Sequence, residues 1–175
     1  MSSWGVEADE VRDVATAMRY EADGARMRRQ LATDLRAAVE PGVEEAKGEI
    51  LAMGSGGIPH EGESLRSAIA AQVKAQTALT GNKAGVRVRV SKRGMPRGFR
   101  NAPMRTNRAA GWRHPVPSRR LAKGIQGPVL PPRWVHQLGR PYWFDMPLQA
   151  RREQYRVAVE KVVRDTADRI RKGAR

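Results

Sequence analysis

The chain contains no cysteine in 175 residues. That removes disulfide frameworks, thiolate zinc sites and cysteine nucleophiles, and it leaves the redox character of the compartment unconstrained. Long apolar runs are missing as well. Nowhere do the roughly 18 consecutive apolar residues of a membrane span occur, and MSSWGVEADEVRD has no basic region followed by an apolar stretch. A soluble, unexported protein assembled in a cytoplasm is the simplest expectation.

A further absence concerns charge of one sign. From Ser64 to Phe144 there is no Asp or Glu, while the same 81 residues hold 17 Lys and Arg. The remainder carries 16 basic and 18 acidic residues, so the formal charge of +15 belongs to the middle of the chain. A single-sign segment of that length repels itself and calls for a polyanion, acidic neighbouring subunits or full solvation. Nucleic acid is the first partner to consider and an acidic protein ring the second.

What is present points to one domain over 1–175, of mixed α+β class. Val11, Ala15, Met18, Ala22 and Ala25, then Met27, Leu31, Leu35 and Ala38, recur at helical spacing with a shift of face near Gly24. The pattern resumes after Pro41-Gly42 with Val43, Ala46, Ile50 and Leu51. Residues 6–53 therefore read as a long N-terminal helical region, kinked or restarted at Pro41. GSGGIPHEGES makes 54–63 a loop, and Ser64 is placed to N-cap a helix over 64–80 that stops at Gly81-Asn82.

GVRVRVS alternates Val86, Val88 and Val90 with Arg87 and Arg89, the period of a half-buried strand over 85–91 in a small antiparallel sheet. Residues 92–132 are rich in Pro, Gly, Arg and Asn and read as an extended basic loop or arm. Short strands are expected at Trp112 to Val116 and at Arg133 to Gln137, with Pro115 confining the first to an edge or a strand end. After the aromatic segment at 133–146, Leu148, Tyr155, Val159, Val162, Thr166 and Ile170 mark a C-terminal amphipathic helix over 147–172. Glu160-Arg164 and Asp165-Arg169 are its expected i,i+4 pairs.

Chemistry is thinly represented. His114, His136 and Asp145 can be drawn as an acid-base cluster, but the basic stretch offers no orienting carboxylate before Asp145. His60, His114 and His136 lack metal-ligand spacing, and GSGG at 54–57 lacks the Lys-Ser/Thr of a phosphate loop. The expectation is no catalytic residue, no metal and no cofactor.

The aromatic and basic residues are more informative. Trp112, His114, Pro115, Trp134, Trp143 and Phe144 stand beside Gly and Pro turns and read as sheet or subunit-interface anchors before base-stacking platforms, since the clearest strand carries no aromatic. Arg87, Arg89, Lys92, Arg93, Arg97, Arg100, Arg105 and Arg108 form an acid-free run that suits DNA phosphates or an acidic protein surface, beyond the bland role of a solvated face. An alternative is a basic nucleic-acid-binding protein whose segment from Lys83 to Arg140 orders on RNA or DNA.

The succession LRSAIA, AGVRVRVS, MPRGFRNAPMR, GWRHPV, RWVHQ and YWF, followed by a terminal helix, resembles the head-tail joining (neck, or tail-completion) family of long-tailed double-stranded DNA phages, especially those of actinobacterial hosts. The likeness runs from about Leu31 to Ile170, with GWRHPV and RWVHQLGRPYWF its most specific pieces. Two features depart from it. Pro117-Ser118 and a long RRLAKGIQGPVLPP stretch stand where an aromatic-Gly pair is usual, and the acidic-aromatic-Gly-Thr strand end is missing.

The resemblance implies an α+β virion structural protein without enzyme activity. It implies a homo-oligomeric ring at the head-tail junction, contacting portal-side and tail-tube or tail-terminator proteins and surrounding the DNA channel, with no membrane partner.

Overall fold

The computed structural model describes residues 3–7, 9–18, 24–54, 64–116 and 133–173. In chain order these form β1 (Ser3–Glu7), α1 (Asp9–Ala17), α2 (Gly24–Leu51), α3 (Leu65–Ala71), β2 (Val73–Ala78), β3 (Gly85–Val90), α4 (Ala102–Thr106), β4 (Trp112–Val116), β5 (Arg133–Gln137), α5 (Asp145–Ala150) and α6 (Arg152–Gly173). The class is α+β, with a long helix near the N-terminus, a C-terminal helix and small antiparallel sheets.

α2 is the spine. Leu31, Leu35, Val39, Val43, Ala46 and Ile50 recur every three or four residues, and all are buried. Pro41 lies inside this helix without dividing it. The carbonyl it deprives of a donor is that of Ala37, four residues back. Both residues are exposed, so water can serve that oxygen.

Gly42 has a packing task. A Cβ there would stand 2.8 Å from Leu148 Cδ2 and 2.9 Å from the Tyr155 hydroxyl. The dipeptide that reads as a helix breaker is where α5 and α6 come closest to the spine.

α3 begins as expected, with Ser64 Oγ accepting the Ser67 N–H at 3.1 Å. It does not run to residue 80. VKAQTA leaves the helix and pairs as β2 with β3, from Val73 opposite Val90 to Ala78 opposite Gly85. Val73, Ala75 and Thr77 satisfy a strand period as well as Val73 satisfies the helical stripe, and pairing with the adjacent β3 decides between them. Gly81, at φ 81°, turns the hairpin instead of ending a helix.

The first sheet has the order β1-β3-β2, all antiparallel. β1 (Ser3–Glu7) overlaps the stretch expected to be helical, 6–53, only at Val6 and Glu7, and its register places Ser3 opposite Arg89 and Glu7 opposite Gly85. Val86, Val88 and Val90 are buried toward the helices, while Arg87 and Arg89 alternate onto the other face.

The expected arm at 92–132 is more structured than its composition suggests. Met95, Ala102 and Thr106 are buried, α4 is one short helical turn set, and β4 follows. β4 and β5 occupy the two short strands expected and, among the described residues, pair only with each other, Trp112 opposite Gln137 and Val116 opposite Arg133. Residues 117–132, 55–63 with His60, and Ala22 lie outside the described residues.

The C-terminal helix is interrupted at Arg151, so α5 and α6 replace a single rod. Leu148, Tyr155, Val159, Val163 and Thr166 are buried, with Val162 and Ile170 partly so. The expected acid-base pairs on this helix are exchanged for others. Glu160 pairs with Arg156, Asp165 with Lys161 at 2.8 Å, and Arg169 reaches α2 to meet Asp34 at 3.2 Å. Among the described residues, no helix is long and apolar enough to cross a membrane.

Candidate functional site

The end of α4 meets the aromatic segment at 133–146 through a polar knot that the tryptophans do not announce. Thr106 ends α4, and its Oγ1 donates to backbone carbonyls of Ala102 and Pro103 while accepting the indole N–H of Trp143 at 3.1 Å. Asn107 follows. Its Oδ1 accepts the Phe144 N–H at 3.0 Å, its Nδ2 donates to Asp145 Oδ2 at 2.6 Å, and its carbonyl accepts the Tyr142 N–H at 2.9 Å.

Two glycines let the backbones approach. A Cβ on Gly139 would overlap the Thr106 carbonyl, and one on Gly111 would overlap that of Gln137. Tyr142 holds φ 59°, a left-handed conformation costing roughly 1–3 kcal/mol, which its surroundings must offset.

The knot sorts the aromatic residues into two groups. Trp143 and Phe144, 1% and 0% exposed, pack edge to face with ring centroids 5.7 Å apart, and they belong to the interior of one chain. Trp112 is half-buried and Trp134 is 55% exposed. His114 and Pro115 take backbone positions in β4 opposite Val135 and Trp134, and their side chains lie outside the described residues.

The groups drawn as an acid-base cluster have separate tasks. Asp145 is held by Asn107, and His136 Nε2 lies 2.8 Å from the Ala110 carbonyl oxygen. Among the described residues, no three His, Cys, Asp or Glu side chains gather as a metal site.

The basic residues line one continuous length of chain. Arg87 Nη2 donates to the Lys83 carbonyl at 2.9 Å and Arg89 Nη1 to Gln76 Oε1 at 3.3 Å. Lys92 Nζ donates to Asn101 Oδ1 at 3.1 Å. Arg93, Arg97, Arg100, Arg105 and Arg108 are exposed, and Arg108 touches the Met104 sulfur. From Lys92 to Arg108 none of these cations makes an ion pair among the described residues.

Carboxylates behave otherwise: Glu44, Glu45, Glu49 and Asp34 on α2 are each engaged by a cation. Lys74, opposite Arg89 in the β2–β3 register, sets two like charges side by side.

Beside the knot, α2 and the segment leading into α5 enclose a groove of about 280 Å³. Glu45, Glu49, Arg140, Tyr142, Met146 and Pro147 line it, and Arg140 bridges it to Glu49 at 2.5 Å. Near Glu45, Tyr155 carries a hydroxyl whose pKa is raised, first by burial and then by that carboxylate.

Sequence reasoning missed Thr106, Asn107, Gly139 and Tyr142. The only signal was a Thr-Asn pair at the end of a Pro-initiated turn and a Gly before Arg-Pro. Comparison with protein-family models, curated proteins and solved structures gave no match.

Proposed function

We propose that this chain is a non-enzymatic virion structural protein of a phage neck, one subunit of a homo-oligomeric ring that joins the DNA-filled head to the tail and surrounds the DNA channel. Its neighbours would be portal-side and tail-tube or tail-terminator proteins, and its place the head-tail junction after assembly in the host cytoplasm. The resemblance of GWRHPV and RWVHQLGRPYWF supplies the class.

The observation that carries the reading is the charge arrangement. Asp34, Glu44, Glu45 and Glu49 on α2 are each paired with a cation of the chain, while the cations from Lys92 to Arg108 have no acidic partner among the described residues. A subunit that lines a DNA passage, or docks on acidic neighbours, supplies the missing anions. Particles imaged by cryo-electron microscopy should hold the chain between head and tail, and hosts infected by a phage lacking it should accumulate unjoined heads and tails. Intact virions without it would overturn the reading.

The exposed arginines from Arg93 to Arg108 keep one second reading in view, that of a nucleic-acid-binding protein. That reading expects the middle segment to order on its ligand. Met95, Ala102 and Thr106, by contrast, are buried by the chain's own core. A monomer binding RNA or DNA tightly, with a steep loss of affinity as salt rises, would favour it over the neck.

A further inference from the structure

β4 and β5 form a two-stranded ribbon that packs substantially on no other described element. Two strands alone are marginal in water, and among the described residues neither outer edge of this pair is joined by a further strand. Trp134 is 55% exposed on it, and Leu138, at its foot, is 64% exposed. The register puts Trp134 on the same face as Arg113 and His136. Arg113 is exposed and has no carboxylate partner among the described residues.

The groove beside α5 has the opposite character. Tyr142 and Met146, 49% and 65% exposed, offer an apolar rim, and the two carboxylates of Glu45 and Glu49 on the α2 wall outnumber the one lining cation, Arg140. About a third of each carboxylate side chain still faces solvent despite its arginine, and a carboxylate accepts more than one donor. Its volume of about 280 Å³ lies just below the roughly 300–1,000 Å³ of small-molecule sites and suits one large side chain.

Within one chain Trp134 does not line the groove. β5 runs directly into Arg140 and Pro141 at the groove's edge, and Trp134 stands three strand residues beyond the ribbon's foot, roughly 10 Å further out.

We propose that Trp134 of one copy seats in the groove between α2 and α5 of the next, with Arg113 facing Glu45 and Glu49. The contact is heterologous: ribbon on one side, groove on the other. Repeated by rotation it closes a ring. The proposal rests on the ring reading above and specifies which surfaces make it.

The test uses two single variants of the full chain, Trp134→Ala in the ribbon and Met146→Glu in the groove, each at an exposed position. Wild type should sediment as an assembly, and each variant alone should need at least a tenfold higher concentration to assemble. An equimolar mixture of the two should form a heterodimer and stop there, because the one intact ribbon meets the one intact groove. Trp134→Phe, which keeps a ring, should assemble within about threefold of wild type.

A variant that assembles like wild type, or a mixture that stays monomeric, overturns the contact. A wild-type chain that stays monomeric overturns it too. The neck reading falls separately, only if imaged particles lack the chain.

Discussion

Asn107 reaches across 38 residues to Asp145, donating from Nδ2 to Oδ2 at 2.6 Å, while its Oδ1 takes the Phe144 N–H. One amide side chain thus ties the end of α4 to the start of α5. Tyr142, Phe144 and Asp145 are held to the end of α4 by this one residue.

Asn107→Ala leaves the Phe144 amide and the Asp145 carboxylate without that partner. At about 1–3 kcal/mol for each buried group stranded, the destabilisation should be 2 kcal/mol or more. Chemical denaturation should show a lower midpoint with an unchanged slope. A stability within about 0.5 kcal/mol of wild type would remove the knot from its structural role.

Two tryptophans should answer alanine differently. Trp143→Ala opens a cavity and frees the Thr106 hydroxyl from its indole partner, costing about 3–5 kcal/mol. Trp134→Ala, at an exposed site, should change the stability of the monomer by no more than about 0.5 kcal/mol. Thermal unfolding of the two variants side by side checks both.

Gly42 and Gly48 share α2, so they form an internal control. Gly42→Ala forces a methyl against Leu148 and Tyr155 and should destabilise by about 1–3 kcal/mol. Gly48→Ala meets nothing within 4 Å and should stabilise by roughly 0.5–1 kcal/mol through better helix propensity. Equal effects from both would contradict the close approach of α5 and α6.

Tyr155 predicts an alkaline limit. Its folded pKa is raised by burial and by Glu45, so the native state holds its proton where the unfolded chain, at a pKa of about 10, releases it. The stability tied to this group is whole below about pH 10 and drains as pH climbs through the folded value. Tyr155→Phe should flatten the loss of stability above that pH, measured by urea titration at successive pH values.

The charge reading can be measured without a particle. Replacing Arg93, Arg97 and Arg100 with Gln should weaken duplex DNA binding evenly across sequences. It should also lower the magnitude of the salt slope by about 0.9 for each phosphate that is no longer neutralised. An unchanged slope would point those arginines at acidic protein instead.

Much of this fold was legible because its signals are periodic. The α2 stripe, the Val86-Val88-Val90 alternation, the Ser64 cap and both short ribbon strands stand in the sequence as they stand in the structure. VKAQTA was ambiguous because its only strong apolar residue, Val73, satisfies two periods at once, and the tie is broken by β3, which local pattern cannot see. β1 escaped for the same reason. Pro41-Gly42 misled because the local penalty of proline is small where water can reach the freed carbonyl, and the value of Gly42 lies in α5 and α6. The knot was illegible for a different cause: Thr106 and Asn107 are ordinary residues, and the bonds that make the knot, to Trp143 and Phe144, reach more than thirty positions away.

The strand order β1-β3-β2 sets a schedule for synthesis. Ser3 pairs with Arg89, so the first strand to be translated cannot find its place until the third has emerged. At roughly 5–20 residues per second, β1 waits for several seconds while α1 and α2 are already complete. The spine helix must therefore hold its apolar stripe together on the ribosome before the sheet that covers it exists, which makes this the interval in which the nascent chain most needs protection.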